Sequence, residues 1–283
     1  MRRGGAVLLG ILLACLGVGF AILNDRPKAE PRPPQQRGSF STTTSPSTHT
    51  SVTSSSAHTP NTPYASRIMQ DRPIAFWPLN DPGTGAVAET TGRYPGTSAV
   101  ATVEGRPLVR SLGRSTHFNG INNRVTANSL TSVGSWPGYT LEHWLRLTQE
   151  STEEHLIAYN TTDGENGPGL LHDQPTKKFK FRDCEGPTCA QAFSSAVPKL
   201  GVPYLVDLCV DEQNKGTLYV NGVPQAHFTS THRPTHDGLF TIGAEYDSGP
   251  EVESFFHGDI SGVAVYDYGL SPAAVRAHYE AGR

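Results

Sequence analysis

The sequence predicts an all-β, two-sheet antiparallel sandwich with a short C-terminal helix, set behind an apolar N-terminal segment and a polar tract. Three observations carry this. From Tyr64 onward, short runs of alternating apolar and polar residues recur between Gly, Asn and Pro clusters, the pattern of strands with one face buried. Pro272 to Gly282 is the one segment that reads clearly as a helix: Ser271 is an N-cap, Pro272 sits where no helical N–H is lost, and Gly282 ends it. Asn221-Gly222, flanked by Leu218-Tyr219-Val220 and Val223, supplies the two residues that tolerate the positive φ of a tight hairpin.

Residues 1–23 read as a signal anchor. Arg2 and Arg3 precede an uncharged run of 20 residues from Gly4 to Leu23, about one bilayer span. Three processing outcomes fit these residues. Gly19-Phe20-Ala21 offers small residues to a signal peptidase, Leu12-Leu13-Ala14-Cys15 resembles a lipoprotein box with an atypical second residue, and no cut leaves a single-pass anchor. The length of the run favours the anchor, which places the C-terminal domain outside the cytoplasm; a secreted or lipoprotein form is the alternative. Arg26, Lys28, Arg32 and Arg37 follow the span and argue weakly the other way. Residues 24–63 are rich in Pro, Ser and Thr with almost no large apolar side chain, so they cannot offset their ordering entropy and are expected to form a disordered stalk. Residues 64–283 remain as one sandwich domain.

Within that domain, strands are expected at Ile74–Leu79, Tyr139–Leu147, His155–Tyr159, Lys178–Arg182, Tyr204–Asp211, Thr217–Val220, Phe240–Ala244 and Ile260–Tyr266. Cys184 and Cys189 bracket Glu-Gly-Pro-Thr at what reads as a hairpin tip, where a disulfide is geometrically reasonable; zinc is the alternative, with too few further ligands at suitable spacing. Cys209 lies in the apolar run Tyr-Leu-Val-Asp-Leu-Cys-Val and reads as a packing residue. From Tyr64 onward, 17 basic residues stand against 24 acidic ones, a balance of −7 that speaks against nucleic acid as a partner. Lys178, Lys180 and Arg182 alternate with Phe179 and Phe181. This pattern reads as an outer strand face backed by apolar residues, or else as a contact for an anionic polymer.

A family resemblance rests on six segments in order: Asp-Arg-Pro-Ile-Ala-Phe-Trp-Pro-Leu-Asn-Asp from Asp71 to Asp81; His-Phe-Asn-Gly at His117–Gly120; Tyr-Thr-Leu-Glu-His-Trp-Leu-Arg at Tyr139–Arg146; Thr-Leu-Tyr-Val-Asn-Gly-Val at Thr217–Val223; Leu-Phe-Thr-Ile-Gly-Ala at Leu239–Ala244; and the closing run from Gly258 to Ser271. Together they resemble a bacterial-type laminin-G-like domain of the concanavalin A-like lectin/glucanase superfamily. The resemblance implies a jelly-roll sandwich that binds rather than catalyses. Many relatives carry acidic residues after the isoleucine of the last strand, where this chain has Ser261 and Gly262. Calcium is the candidate metal, with Asp81, Asn119, Asn122 and Asp259 as the hard oxygen donors and Asp81 as the first choice.

Related glucanases use paired carboxylates at a fixed separation, and this chain lacks their Glu-x-Asp-x-x-Glu strand. Glu142 shares a strand face with Trp144 and Arg146, and the structural expectation for it is a pair with Arg146 or a backbone amide. For glycan recognition the candidate loops contribute Asn122 and Asn123, then Asp163, Glu165 and Asn166, then Tyr246 and Asp247, with Trp136 as the expected exposed aromatic. The function expected is a membrane-tethered, extracytoplasmic, non-catalytic module that binds carbohydrate at a cell surface or envelope. A structural or adhesion protein that binds another envelope protein is the alternative, and a diverged glycosidase the second.

Overall fold

The computed structural model describes residues 62–98, 100–127, 130, 136–149, 154–160, 167–185, 188–230, 239–246 and 252–283, with backbone alone for 154–160, 185 and 246. The expected anchor and stalk, residues 1–23 and nearly all of 24–63, lie outside these. Among the described residues no helix is long and apolar enough to cross a membrane.

In chain order the domain opens with helix α1 (Pro63–Gln70), then β1 (Ala75–Trp77), β2 (Gly85–Val87), β3 (Gly96–Ser98) and β4 (Val103–Gly105). A 3₁₀ turn at Arg110–Leu112 leads to β5 (Ser115–Asn119), β6 (Val125–Ala127), β7 (Tyr139–Leu147), β8 (Glu154–Asn160), β9 (Gly167–Asp173) and β10 (Lys178–Glu185). There follow β11 (Thr188–Phe193), β12 (Tyr204–Val210), β13 (Lys215–Val220), β14 (Val223–Thr229), β15 (Leu239–Ile242), β16 (Glu245–Tyr246), β17 (Val252–Glu253), β18 (His257–Tyr266) and helix α2 (Pro272–Gly282). One sheet runs β14-β13-β12-β7-β18-β5-β4, with β1 pairing the far half of β18; the other runs β11-β10-β9-β8-β15-β6-β3-β2. The strand pairs of both sheets are antiparallel, and the strands alternate between inner and outer faces, which makes the domain an all-β sandwich.

Alternation places the core. On β7, Tyr139, Leu141, Leu145 and Leu147 point inward and meet Phe179 and Phe181 of β10, Leu170 of β9 and Phe240 of β15. Trp77 stacks on Phe240 at 5.2 Å between ring centroids, and Phe181 on Phe228 at 4.2 Å. Each such ring contributes about 1.5–3 kcal/mol by leaving water. The expected alternation of β10 therefore holds on its apolar side. Its cations are not simply solvated: Lys180 is almost buried and its Nζ lies 3.4 Å from Asp173, while Arg182 pairs with Glu245 at 3.0 Å.

The outer face of the β7–β18 sheet carries a second core, roofed by α1 and α2. Tyr64 and Ile68 of α1, Val275 of α2 and Leu112 pack on Trp144, Leu205, Tyr266 and Cys209. Helix α2 is capped by Ser271, whose Oγ accepts from the Ala274 amide at 3.2 Å. Helix α1 was not expected. It is eight residues long, too short for its apolar spacing to stand out, yet it begins as α2 does, with Thr62 as N-cap and Pro63 in the first turn. That Thr-Pro pair is the signal for it.

Two further local features follow from sequence. Asn221 and Gly222 take φ of 54° and 74°, closing the β13–β14 hairpin as expected. Cys184 and Cys189 are direct partners across β10 and β11 and form a disulfide with Cα atoms 4.1 Å apart. Cys209 is free and buried; burial and the nearby Asp207 charge push its thiol up, so it is a packing residue.

Candidate functional site

Gly262 explains the departure seen in the last strand. The register of β18 on β7 shifts between Ser261 and Ala264, and Gly262 sits in this bulge at φ 61° with its amide donating to the Pro78 carbonyl. A Cβ there would come within 2.9 Å of the Tyr64 ring. The bulge belongs to the seat of α1, and an acidic side chain would not fit it.

Under the same roof lies a buried polar network. Glu142 is fully buried on β7; its Oε1 accepts from the Tyr64 hydroxyl at 2.7 Å and its Oε2 meets His278 Nδ1 at 2.6 Å. His278 Nε2 reaches Asp71 at 2.7 Å, and Asp71 pairs with Arg67 at 2.6 Å. The expected partner of Glu142, Arg146, is not in this network. Asp207 of β12, the direct cross-strand partner of Glu142, is also fully buried. Burial, then the Glu142 charge, push the Asp207 carboxyl well above its usual range, and burial with Glu142 likewise keeps Tyr64 a donor. Both acids are buried beneath this roof, and Glu142 ties α1 to α2 through Tyr64 and His278.

Two residues beyond Trp144 on β7 the roof ends. Gly282, at the end of α2, lies on the Trp144 indole, and Tyr279 stacks on the same ring at 5.9 Å. Past this point the outer face opens into a cleft of about 480 Å³ lined by Val103, Glu104, Gly105, Arg106, His117, Arg146, Thr148, Gly201 and Asp259. Its floor is one row across four strands. Arg146 of β7 pairs with Asp259 of β18, Asp259 with His117 of β5, and His117 with Val103 of β4. Residues in one row project to the same face, so strand register alone assembles the floor.

Asp259 is the hub. Its side chain is 3% exposed; Oδ1 meets His117 Nδ1 at 2.8 Å, and Oδ2 accepts from Arg146 Nε at 2.9 Å and from Arg146 Nη2. Burial of the carboxylate is offset by this charge-assisted clamp. The strand β4 backbone crosses directly over it, because a Cβ on Gly105 would stand 2.5 Å from Asp259 Oδ1 and 2.4 Å from Ser115 Oγ. His257, two residues before Asp259, packs edge-on against His117 at 5.8 Å, and burial together with the His117 charge lowers its pKa. The floor thus offers guanidinium and imidazole nitrogens around a carboxylate that is already spoken for.

The residues singled out from sequence fall in several places. Asn119, Asn122 and Asn123 form one turn after β5: Asn119 Oδ1 accepts from the amides of Ile121, Asn122 and Asn123 at 3.0–3.2 Å, and its Nδ2 donates to Asn122 Oδ1 at 2.9 Å. Asn123 is buried and ties the turn to the Ala101 carbonyl. Asp81 is exposed and accepts from the Ala88 amide. Of the four calcium candidates, Asn119 and Asn122 come together, Asp259 is held by Arg146 and His117, and Asp81 binds its own loop. Each of the four has at least one side-chain oxygen engaged by a protein donor, and among the described residues no three His, Cys, Asp or Glu side chains gather to hold a metal ion. Trp136 is half-buried and packs against the sandwich core rather than standing free. Asp163, Glu165, Asn166 and Asp247 lie outside the described residues, and of Tyr246 only its place on β16 opposite Val252 is described. Sequence reading chose Asp259 and missed His117, Arg146 and Arg106 beside it. The one signal for His117 and Arg146 was a polar residue on the outward phase of strands β5 and β7; Arg106, just after β4, had none.

A sandwich with a roofed outer sheet face and a polar cleft at the edge of that roof defines the class: a lectin-like β-sandwich domain. The family follows from sequence. A laminin G-type family model, described as the concanavalin A-like lectin/glucanases superfamily, matches residues 119–276, and the chain belongs to that family. Solved structures share the fold at low identity. Domain 4 of AbnA, a GH43 extracellular arabinanase from Geobacillus stearothermophilus solved with arabinotriose, superposes with a TM-score of 0.57 at 15% identity over 75% of this chain and 98% of that one. The botulinum neurotoxin serotype D binding domain gives 0.57 at 11% identity, over 74% of this chain and 52% of that chain. A Trypanosoma rangeli sialidase in complex with the inhibitor DANA gives 0.54 at 16% identity, over 72% of this chain but only 32% of the sialidase. No curated protein sequence matches the chain significantly.

Proposed function

We propose that the chain is a membrane-tethered, extracytoplasmic recognition module that binds carbohydrate without transforming it. Residues 1–23 anchor it, residues 24–63 carry the domain away from the bilayer, and the cleft over Asp259 receives the ligand. The observation that carries this reading is the cleft itself: about 480 Å³, open, floored by a fixed Arg146–Asp259–His117 row, on a domain of the lectin/glucanase superfamily. The arabinanase domain solved with arabinotriose has the same fold along nearly its whole length, which supports a sugar as the ligand class. A non-catalytic role is supported by the acids. Glu142 and Asp207 are sealed under the helices, and Asp259 is clamped by a guanidinium, so none of them is free to act as the acid or nucleophile of a glycosidase.

A glycan array probed with the purified chain tests this, with His117→Ala as the control that alters the cleft and leaves the sandwich core intact. Binding to a glycan class by the wild type, reduced at least tenfold in the variant, is the expected result. Absence of any glycan signal, with capture of an envelope protein instead, refutes the carbohydrate reading in favour of the adhesion one. Release of reducing ends from any bound polysaccharide refutes the non-catalytic one.

A further inference from the structure

We infer that the cleft selects a carboxylated saccharide, a uronate- or sialate-type sugar, whose carboxylate is taken by Arg106 and the free end of Arg146. This rests on the carbohydrate reading above and narrows it. A neutral sugar is mostly a hydroxyl donor and acceptor, and sites for it supply carboxylate and amide oxygens to receive its O–H groups. Here the floor carboxylate is consumed, and the carboxylate at the rim is engaged through one oxygen. Asp259 gives both oxygens to Arg146 and His117, and Glu104 is paired with Arg114 at 3.0 Å.

What remains are donors. Asp259 takes the Nε and Nη2 edge of Arg146, leaving Nη1 without a protein acceptor; Nη1 is not sealed from solvent, and the side chain as a whole is 10% exposed. Arg106 is exposed, lines the cleft, and pairs with no carboxylate among the described residues. With the Arg146–Asp259 and Arg114–Glu104 charges cancelling, Arg106 stands in the cleft as a cation with no carboxylate partner among the described residues. A guanidinium prefers a carboxylate because the planar fork fits both of its oxygens. The rim suits the rest of a sugar ring: Val103 is 58% exposed at one wall, and Gly201 at the other is flanked by the exposed Leu200 and Val202. The balance of −7 over the whole domain repels a highly charged polyanion at long range, so recognition must be short-range and confined to one or two carboxylates.

Calorimetric titration of the full chain with trigalacturonate, sialyllactose and a hyaluronan tetrasaccharide, each beside its methyl-esterified form, tests the inference. The expected result is that at least one acid binds tenfold or more tightly than its ester, and that Arg106→Gln removes this preference while the unfolding transition is unchanged. Equal binding of acid and ester overturns the acidic selection and leaves the carbohydrate reading standing. A preference for the acid that survives Arg106→Gln overturns the placement in this cleft. Binding of no acid, ester or arrayed glycan overturns both readings together.

Discussion

Asp207→Asn is the perturbation that most directly tests the buried network. The wild-type carboxyl, opposite Glu142 and out of water, holds its proton far above the pH at which an unfolded aspartate, near 3.8, has lost it. Its folded pKa is raised, so the stability it contributes is fully present below about pH 3.8 and is lost as pH rises toward the folded value. Each pH unit in that window costs the native state about 1.4 kcal/mol. Asparagine has the same shape and no proton to lose. The difference in unfolding free energy, variant minus wild type, is therefore expected to grow in the variant's favour as pH rises from 5 to 7. The assay is urea denaturation of both proteins at several pH values in that range. Taking the difference removes the other titrating groups, notably His143, which burial lowers to about 3 and which works in the opposite direction as pH falls. A difference that stays flat with pH refutes the raised Asp207 pKa, whatever its offset.

Two further substitutions address the disulfide and the cleft. Cys184→Ser with Cys189→Ser opens a loop of sequence separation 5, and chain entropy sets the loss at about 2 kcal/mol; reductant should bring the wild type to the same urea midpoint, and an unchanged midpoint contradicts a bond that constrains the unfolded chain. Gly105→Ala sets a methyl against Asp259 and Ser115, which is expected to cost about 1–3 kcal/mol and to shift the His117 ring signals in NMR spectra; unmoved His117 signals refute the close crossing of β4 over the Asp259 clamp.

The strands that sequence reading found are those with enough length to show alternation. Tyr139–Leu147, Tyr204–Val210 and the Asn221-Gly222 hairpin stand where expected. Strands β1 to β4 and β6 have three residues each, too few for a period; β1, β4 and β6 are held by the longer β18, β5 and β15, and β3 and β2 are added in turn at the edge beyond β6. Helix α1 has an apolar face but only eight residues to show it, and its stability comes from burying Tyr64, Ala65 and Ile68 on the sheet.

By itself, the sequence determined the fold class, the closing helix and the cysteine pair, because alternation, caps and hairpin turns are local and need no partner to be recognised. Tertiary structure alone decided what each polar residue does. Asp259 stood out in sequence as an oxygen donor, yet its partners lie 113 and 142 positions away and reach it only through the register of β5, β18 and β7. Glu142 and Arg146 share a strand face and part company because α2 ends over Trp144 between them, burying the acid with His278 and leaving the guanidinium at the open cleft. Side-chain chemistry is written residue by residue, but burial, and with it charge state and access, is a property of the whole packed sheet.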